Sequence, residues 1–423
     1  MQIEHPVKLV VEDDLQRRRL TVFFRLILAI PHFVWVFLWS IATLFAAIVN
    51  WVATLVGGQP PAGLHRFMCS YVRYLTHVNA YVGLVASPYP GFVGEEGEYP
   101  IDVLLPGPAP QPRWKTFFRI FLAVPTLLIS SALGGGGNIR FSTGRKNAGY
   151  SGGGGGALGG VCSVLGWFAI MARGEMPKGL RDAGAYSVGY TAQMMAYLLL
   201  ITDRYPNADP TAMLADVPRP PAHVVHLVGY ADDLRFSRVT VFFRLPFAIP
   251  HVVWLALWTV VAYVVVILTW FATLVTGTPP AVLHRFLSRF VRYSLHVSAF
   301  IFLAANPFPG FVGAHGSYPL DLELPPPARQ NRVTTFFRIF AAIPALLVNG
   351  ALFGALLIAA ILTWFVALAT GAAPWGLRNL SAYALRYAAQ LDAYLYLLTD
   401  AYPHASPLEG SAEMQQPAFD QPS

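Results

Sequence analysis

Three stretches of the chain are almost wholly apolar. The first runs from Leu20 to Val56 with Arg25 as its one fully charged side chain and Pro31 as its one proline, and similar runs occupy about 240–276 and 335–370. Each is longer than the roughly 20 residues needed to cross a hydrocarbon core of about 30 Å. A polar hinge follows the first run, Gly57-Gly58-Gln59-Pro60-Pro61, and then a second, more polar helix from about Ala62 to Ala86. Short segments with period-two alternation precede the runs: Val7 to Glu12, Ile101-Asp102-Val103, and Leu320 to Leu324. Such alternation predicts half-buried strands. Val225-His226-Leu227-Val228 alternates poorly, so a strand there is a weaker expectation. The pattern predicts a mainly α, polytopic integral membrane helical bundle, with a small extramembrane β element formed by the four strands.

The elements recur. Phe-Phe-Arg ends at Arg25, Arg119, Arg244 and Arg338, and six residues after each arginine stands Pro31, Pro125, Pro250 or Pro344. The spacing is 94 residues within each pair (119 − 25 and 338 − 244) and 219 between pairs (244 − 25). Trp51, Trp167, Trp270 and Trp364 follow, each with a glycine seven residues on at Gly58, Gly174, Gly277 or Gly371. The sequence therefore divides into repeat one (1–97), repeat two (98–217), repeat three (218–316), repeat four (317–405) and a tail (406–423) expected to be disordered. Each repeat reads as short strand, interfacial helix, transmembrane helix or hairpin, and second helix. Repeats one and three resemble each other most, as do two and four, the pattern left when a two-copy ancestor doubles.

Repeat two is longer. Its Arg-to-Trp distance is 48 residues against 26 in the others, and the excess lies in a glycine-rich insertion at about 134–155. Glycine-rich sequence of this kind is expected to form a flexible loop. A continuous span could not hold a solvated loop at its centre, and Asn349-Gly350 gives a turn signal near the same place in repeat four. The apolar run could accordingly be a partly inserted hairpin, giving about twelve membrane helices instead of eight.

Composition agrees with a lipid environment. Of 423 residues 55% are apolar and only 12% charged, with a mean hydropathy of +0.50, well outside the usual soluble range. The formal charge of +7 could point to nucleic acid. The basic residues flank apolar runs, however, as topology-setting charges do, and no basic helix or aromatic RNA platform accompanies them, so no nucleic-acid partner is expected. Lys8, Arg17, Arg18, Arg19, Arg113 and Lys115 lie on the strand side, whereas the hinges carry fewer charges. If both helices of a repeat cross, the strands and both termini face the cytoplasm. The start, MQIEHPVKLVVEDDLQRRR, does not read as a secretory signal, so internal spans are expected to direct insertion. Cys69 and Cys162 form no spaced pair and read as buried small hydrophobes.

The combination of Phe-Phe-Arg, the following Pro, Trp…Gly…Pro and the closing Thr202-Asp203-Arg204-Tyr205-Pro206 and Thr399-Asp400-Ala401-Tyr402-Pro403 resembles the bacterial membrane family catalogued as domain of unknown function 4389. Repeats one and three close differently, with Ser87-Pro88-Tyr89-Pro90 and Asn306-Pro307-Phe308-Pro309. The resemblance implies a protein of the bacterial cytoplasmic membrane and brings no activity with it.

Two sets of residues carry candidate chemistry. Arg25, Arg119, Arg244 and Arg338 would each cost about 2.5–3.5 kcal/mol at mid-membrane, so they are expected at the interface as anchors, or as a ring binding anionic lipid head groups. The second helix carries a polar stripe: Arg73 and His77, matched by Arg292 and His296, by Arg386 and Gln390, and by Gly189 and Gln193. Residues four apart share one helix face, which must meet other helices or a wet cavity. Replacement of histidine by arginine or glutamine among the repeats suits hydrogen bonding better than metal ligation. No nucleotide-binding, hydrolase, zinc-protease or kinase signature occurs, and no cofactor, metal or enzymatic activity is expected. The sequence thus favours a non-catalytic scaffold or lipid-associated protein. Its alternative is a transporter or channel-like protein with the stripe lining a path, for which Asp392 is the main intramembrane acid.

Overall fold

Where no insertion divides it, the greater part of each apolar run folds as one helix, with short helical turns before it. In the computed structural model, which describes residues 5–134, 157–229 and 235–408, the long helices are Ile30–Gly57, Arg244–Thr276 and Ile343–Thr370. The expectation of a hairpin, and with it of about twelve helices, is corrected in these three copies: Asn349-Gly350 lies inside a continuous helix. One helical glycine costs about 1 kcal/mol, less than breaking backbone bonds among apolar neighbours. In copy two the run is divided into Arg119–Gly134 and Leu158–Arg173. Almost all of the insertion between them lies outside the described residues, and the expectation of a flexible loop lies there too.

The first long helix is amphipathic in the inverse sense, and all three carry large apolar side chains on their exposed faces. The buried residues of Ile30–Gly57 are His32, Thr43, Asn50 and Thr54, while Phe37 and Phe45 are 63% and 65% exposed. The long helices, and Leu158–Arg173 in copy two, end on a glycine in the left-handed region, with Gly58 at φ 75° and its counterparts Gly174, Gly277 and Gly371 at 81°, 81° and 77°. A Cβ would be strained there. Prolines then lead into the inner helices Ala62–Val82, Lys178–Leu198, Ala281–Ile301 and Trp375–Leu395. These polar helices are largely buried, between a long helix, a second inner helix and a strand.

The strands are β1 (Lys8–Val11), β2 (Ile101–Leu104), β3 (His226–Gly229) and β4 (Leu320–Glu323). They do not form one four-stranded sheet. β1 pairs antiparallel with β2, Leu9 opposite Val103, and β3 with β4, Leu227 opposite Leu322. A two-stranded ribbon is marginal alone; β1 and β2 are held by packing on the inner helices. The poorly alternating β3 forms because β4 supplies its ladder. The tail also begins later than expected, since Ser406 and Leu408 are buried; residues 409–423 lie outside the described residues.

The chain separates into two compact units, Met1–Pro218 and Arg219–Ser423, each holding two copies. Within the first, the inner helices pack antiparallel: Met68 and Val72 meet Ala192, Ala196 and Leu199, while Gly184 approaches Val85 near the other end. Each copy also grips its mate. The Gly58 carbonyl accepts from Gln111 N–H at 2.8 Å and the Gly174 carbonyl from Arg17 N–H at 3.0 Å. In the second unit Gly277 accepts from Gln330 and Gly371 from Phe236, both at 2.8 Å. The end of one long helix thus lies beside the start of the other.

Candidate functional site

The Phe-Phe-Arg arginines are interior, which corrects the expectation of surface anchors or a head-group ring. Arg25 and Arg338 are 2% exposed, Arg119 and Arg244 1%. Each turns back onto the C-terminus of the inner helix of its own copy. Arg25 donates to the carbonyls of Tyr81 at 2.8 Å and Ser87 at 3.1 Å, and its guanidinium lies 4.3 Å from the Tyr81 ring centre. Arg244 repeats this with the Phe300 and Ala305 carbonyls and the Phe300 ring. Arg338 does so with Tyr394 and Thr399, adding Asp400 and Gln330. Arg119 reaches the Thr202 carbonyl and the Gln111 side chain. The positive charge answers the orphan carbonyls and negative dipole end of a buried helix terminus, and an aromatic ring faces the cation.

The polar stripe faces the strands, so it is covered by its own chain. In copy one His77 Nε2 lies 3.0 Å from Asp102 Oδ1, and Arg73 Nε 3.4 Å from the same oxygen. Arg73 also meets Glu96 at 2.9 Å. Asp102 accepts further from the N–H groups of Gly97 and Val103, both at 2.7 Å. Burial would raise this carboxyl, but the hydrogen bonds from His77, Gly97 and Val103 outweigh it and hold Asp102 below the ordinary carboxylate range. Copy three repeats the cluster with His296, Arg292 and Asp321, at 2.9 and 3.2 Å. There His315 stands at the place of Glu96. Gly94 makes the geometry possible: a Cβ on it would lie 2.5 Å from Ser70 O and 2.8 Å from Tyr74 N, so the acidic loop can touch the inner helix only through glycine.

Copies two and four use an amide instead. Gln193 donates to Val7 O at 2.9 Å and accepts from Asn207 N–H at 3.0 Å. Gln390 does the same with Val225 O and His404 N–H, at 3.0 and 3.1 Å. Each amide pins the residue leading into the strand of the mate copy and the loop of its own. Arg386 reaches Ser406 O. Gly189, where the other copies have arginine, leaves room for Met213, whose Sδ would lie 2.9 Å from an added Cβ.

A second set of contacts at the seam between copies has the same four-fold repetition. Trp51, Trp270 and Trp364 donate their indole N–H to Thr116 O, Thr335 O and Val241 O at 2.8, 2.9 and 3.0 Å, and Trp167 packs near Val22 at the equivalent place. Arg19, Arg113, Arg238 and Arg332 donate to Ala172 O, Val56 O, Ala369 O and Val275 O at the ends of the mate's long helices. These arginines stay largely exposed. They stand six residues before each Phe-Phe-Arg arginine, and that recurrence is the signal that could have found them. Among the described residues no three His, Cys, Asp or Glu side chains gather as a metal would require.

What these contacts define is a class of helical protein built from interlocked pairs of repeats, with polar residues turned inward and apolar ones outward. The chain belongs to the family described as "Domain of unknown function (DUF4389)", which matches residues 19–93, 155–208, 238–312 and 332–406. In copy two the match begins only at the end of the insertion. No curated protein and no solved structure matches the chain.

Proposed function

We propose that this is an integral protein of the bacterial cytoplasmic membrane that serves as a non-catalytic, lipid-associated scaffold. The observation that carries the reading is the apolar outer face of the long helices, with polar groups turned inward in the first. His32, Thr43, Asn50 and Thr54 are inside while Leu26, Phe37, Leu44 and Phe45 are outside at 61–67% exposure. In water such a surface would be an aggregation hazard far beyond the usual patch of a few hundred Å²; in acyl chains it costs nothing. Three helices are long and apolar enough to cross a membrane. The scaffold role rests on how the recurring polar groups are used: the inner-helix stripe and the buried arginines bind strands, loops and helix ends of their own chain. The polar path is supported less well, since the stripe lies under β1 to β4. Lipids are the partner this surface fits, and the basic strand-side segments favour a cytoplasmic strand side by the positive-inside tendency.

The membrane reading is tested by fractionation. The protein should stay in the pellet through alkaline carbonate and leave it only with detergent; release by carbonate would overturn it. The scaffold reading is tested in sealed liposomes, where anion flux should equal that of empty vesicles. Flux that vanishes in an Arg73→Ala/Arg292→Ala/Arg386→Ala variant would promote the transporter alternative.

A further inference from the structure

We propose that each two-copy unit lies within one leaflet, its helices parallel to the membrane plane, with the long helices in the acyl chains and the β-ribbon in water. This deepens the membrane reading and rests on it. The argument starts from symmetry. In the first unit the strands are antiparallel, the inner helices are antiparallel, and each hinge is bonded to the segment that precedes the mate's long helix. The two copies are therefore related by a pseudo-two-fold axis that crosses all the helices at right angles and passes through the β1–β2 ribbon.

Only two orientations of that axis are compatible with a bilayer. If the helices crossed the membrane, the axis would lie in its plane, the copies would insert in opposite senses, and the ribbon would sit at mid-depth. With it would go Asp102 and the exposed acids Glu95, Glu96 and Glu98, because this loop meets Arg73 at the middle of the inner helix. The ribbon would also present open strand edges to lipid, which the hydrocarbon region does not tolerate. With the axis along the normal, all these groups reach water together.

Length points the same way. Arg244–Thr276 has 33 residues, about 50 Å at 1.5 Å per residue, against a core of about 30 Å. In copy two the run is divided into two helices of 16 residues each, Arg119–Gly134 and Leu158–Arg173, each about 24 Å long and shorter than that core. An in-plane helix meets neither difficulty.

The test uses the full chain with Cys69 and Cys162 replaced by alanine and single cysteines at exposed positions, Asp14→Cys beside β1, Gln59→Cys in the hinge and Glu95→Cys in the acidic loop. A membrane-impermeant maleimide should label all three from the same face of the membrane. Labelling of Asp14→Cys and Gln59→Cys from opposite faces, in protein that carbonate does not extract, would overturn the in-plane arrangement and leave the membrane reading standing. Release by carbonate would overturn both. As a second measurement, fluorophores at Leu26, Phe37 and Val49 should be quenched by brominated lipids at one common depth; a maximum depth at Phe37 with shallow ends would also overturn it.

Discussion

Trp51 donates its indole N–H to the Thr116 carbonyl at 2.8 Å, joining the end of one copy's long helix to the Phe-Phe-Arg turn of its mate. Trp270 and Trp364 make the same bond, so the pair of copies, not the single repeat, is the unit that closes these hydrogen bonds. Trp51→Phe keeps most of the ring area and leaves the Thr116 carbonyl without its indole donor. Loss of one such hydrogen bond costs about 0.5–1.5 kcal/mol, so the thermal midpoint in detergent should fall. An unchanged midpoint would show that the indole contributes packing alone.

Much of this architecture is legible in the sequence. The repeat spacing and the place of the glycine hinges come straight from the positions of Arg, Trp and Gly. What the sequence concealed was direction. Arg25 in an apolar run reads as a snorkelling anchor because its partner, the Tyr81 carbonyl, is a backbone group and carries no residue signature. Asp102 lies 25 residues beyond His77, on a strand, so helical spacing could not pair them. Copy two misled in another way: its interruption suggested a hairpin in every copy, when it is peculiar to one.

Leu84, Leu200, Leu303 and Leu397 occupy the left-handed region at φ 61°, 64°, 56° and 61°, just beyond the inner helices. Glycine is the usual residue there, and a branched side chain costs of order 1–3 kcal/mol. Leu84 is 3% exposed and packs against Val22, Ile170 and Met176 of the seam. Burial of a leucine contributes about 1.5–3 kcal/mol, and the cavity left by truncation adds to the loss. Stability should therefore fall in the order Leu84, Leu84→Gly, Leu84→Ala, because alanine keeps the strain and loses the packing. A glycine variant more stable than the natural protein would show that strain dominates.

The Asp102 carboxylate should give its two-copy unit an acid limit, with Asp321 its counterpart in the other. Its ordinary value is 3.8, and in the folded chain it is lowered: burial opposes ionisation, but the hydrogen bonds from His77 and from the Gly97 and Val103 N–H groups favour it more. A lowered folded value means that the unfolded chain binds the proton first. Stability from this group is then complete above about pH 4 and is lost as pH falls through the folded value. Asp321 in the second unit has the same partners in His296, Gly316 and Leu322, and the same direction. Asp102→Asn should lower stability at neutral pH, because a neutral amide meets Arg73 and His77 where a charge was, and should flatten the decline below pH 4. Denaturation in detergent, followed from pH 3 to 7 for the natural protein and for Asp102→Asn/Asp321→Asn, measures both. Parallel curves for the two proteins would mean that other carboxylates set the acid limit and that the His77–Asp102 contact holds the ribbon by geometry alone.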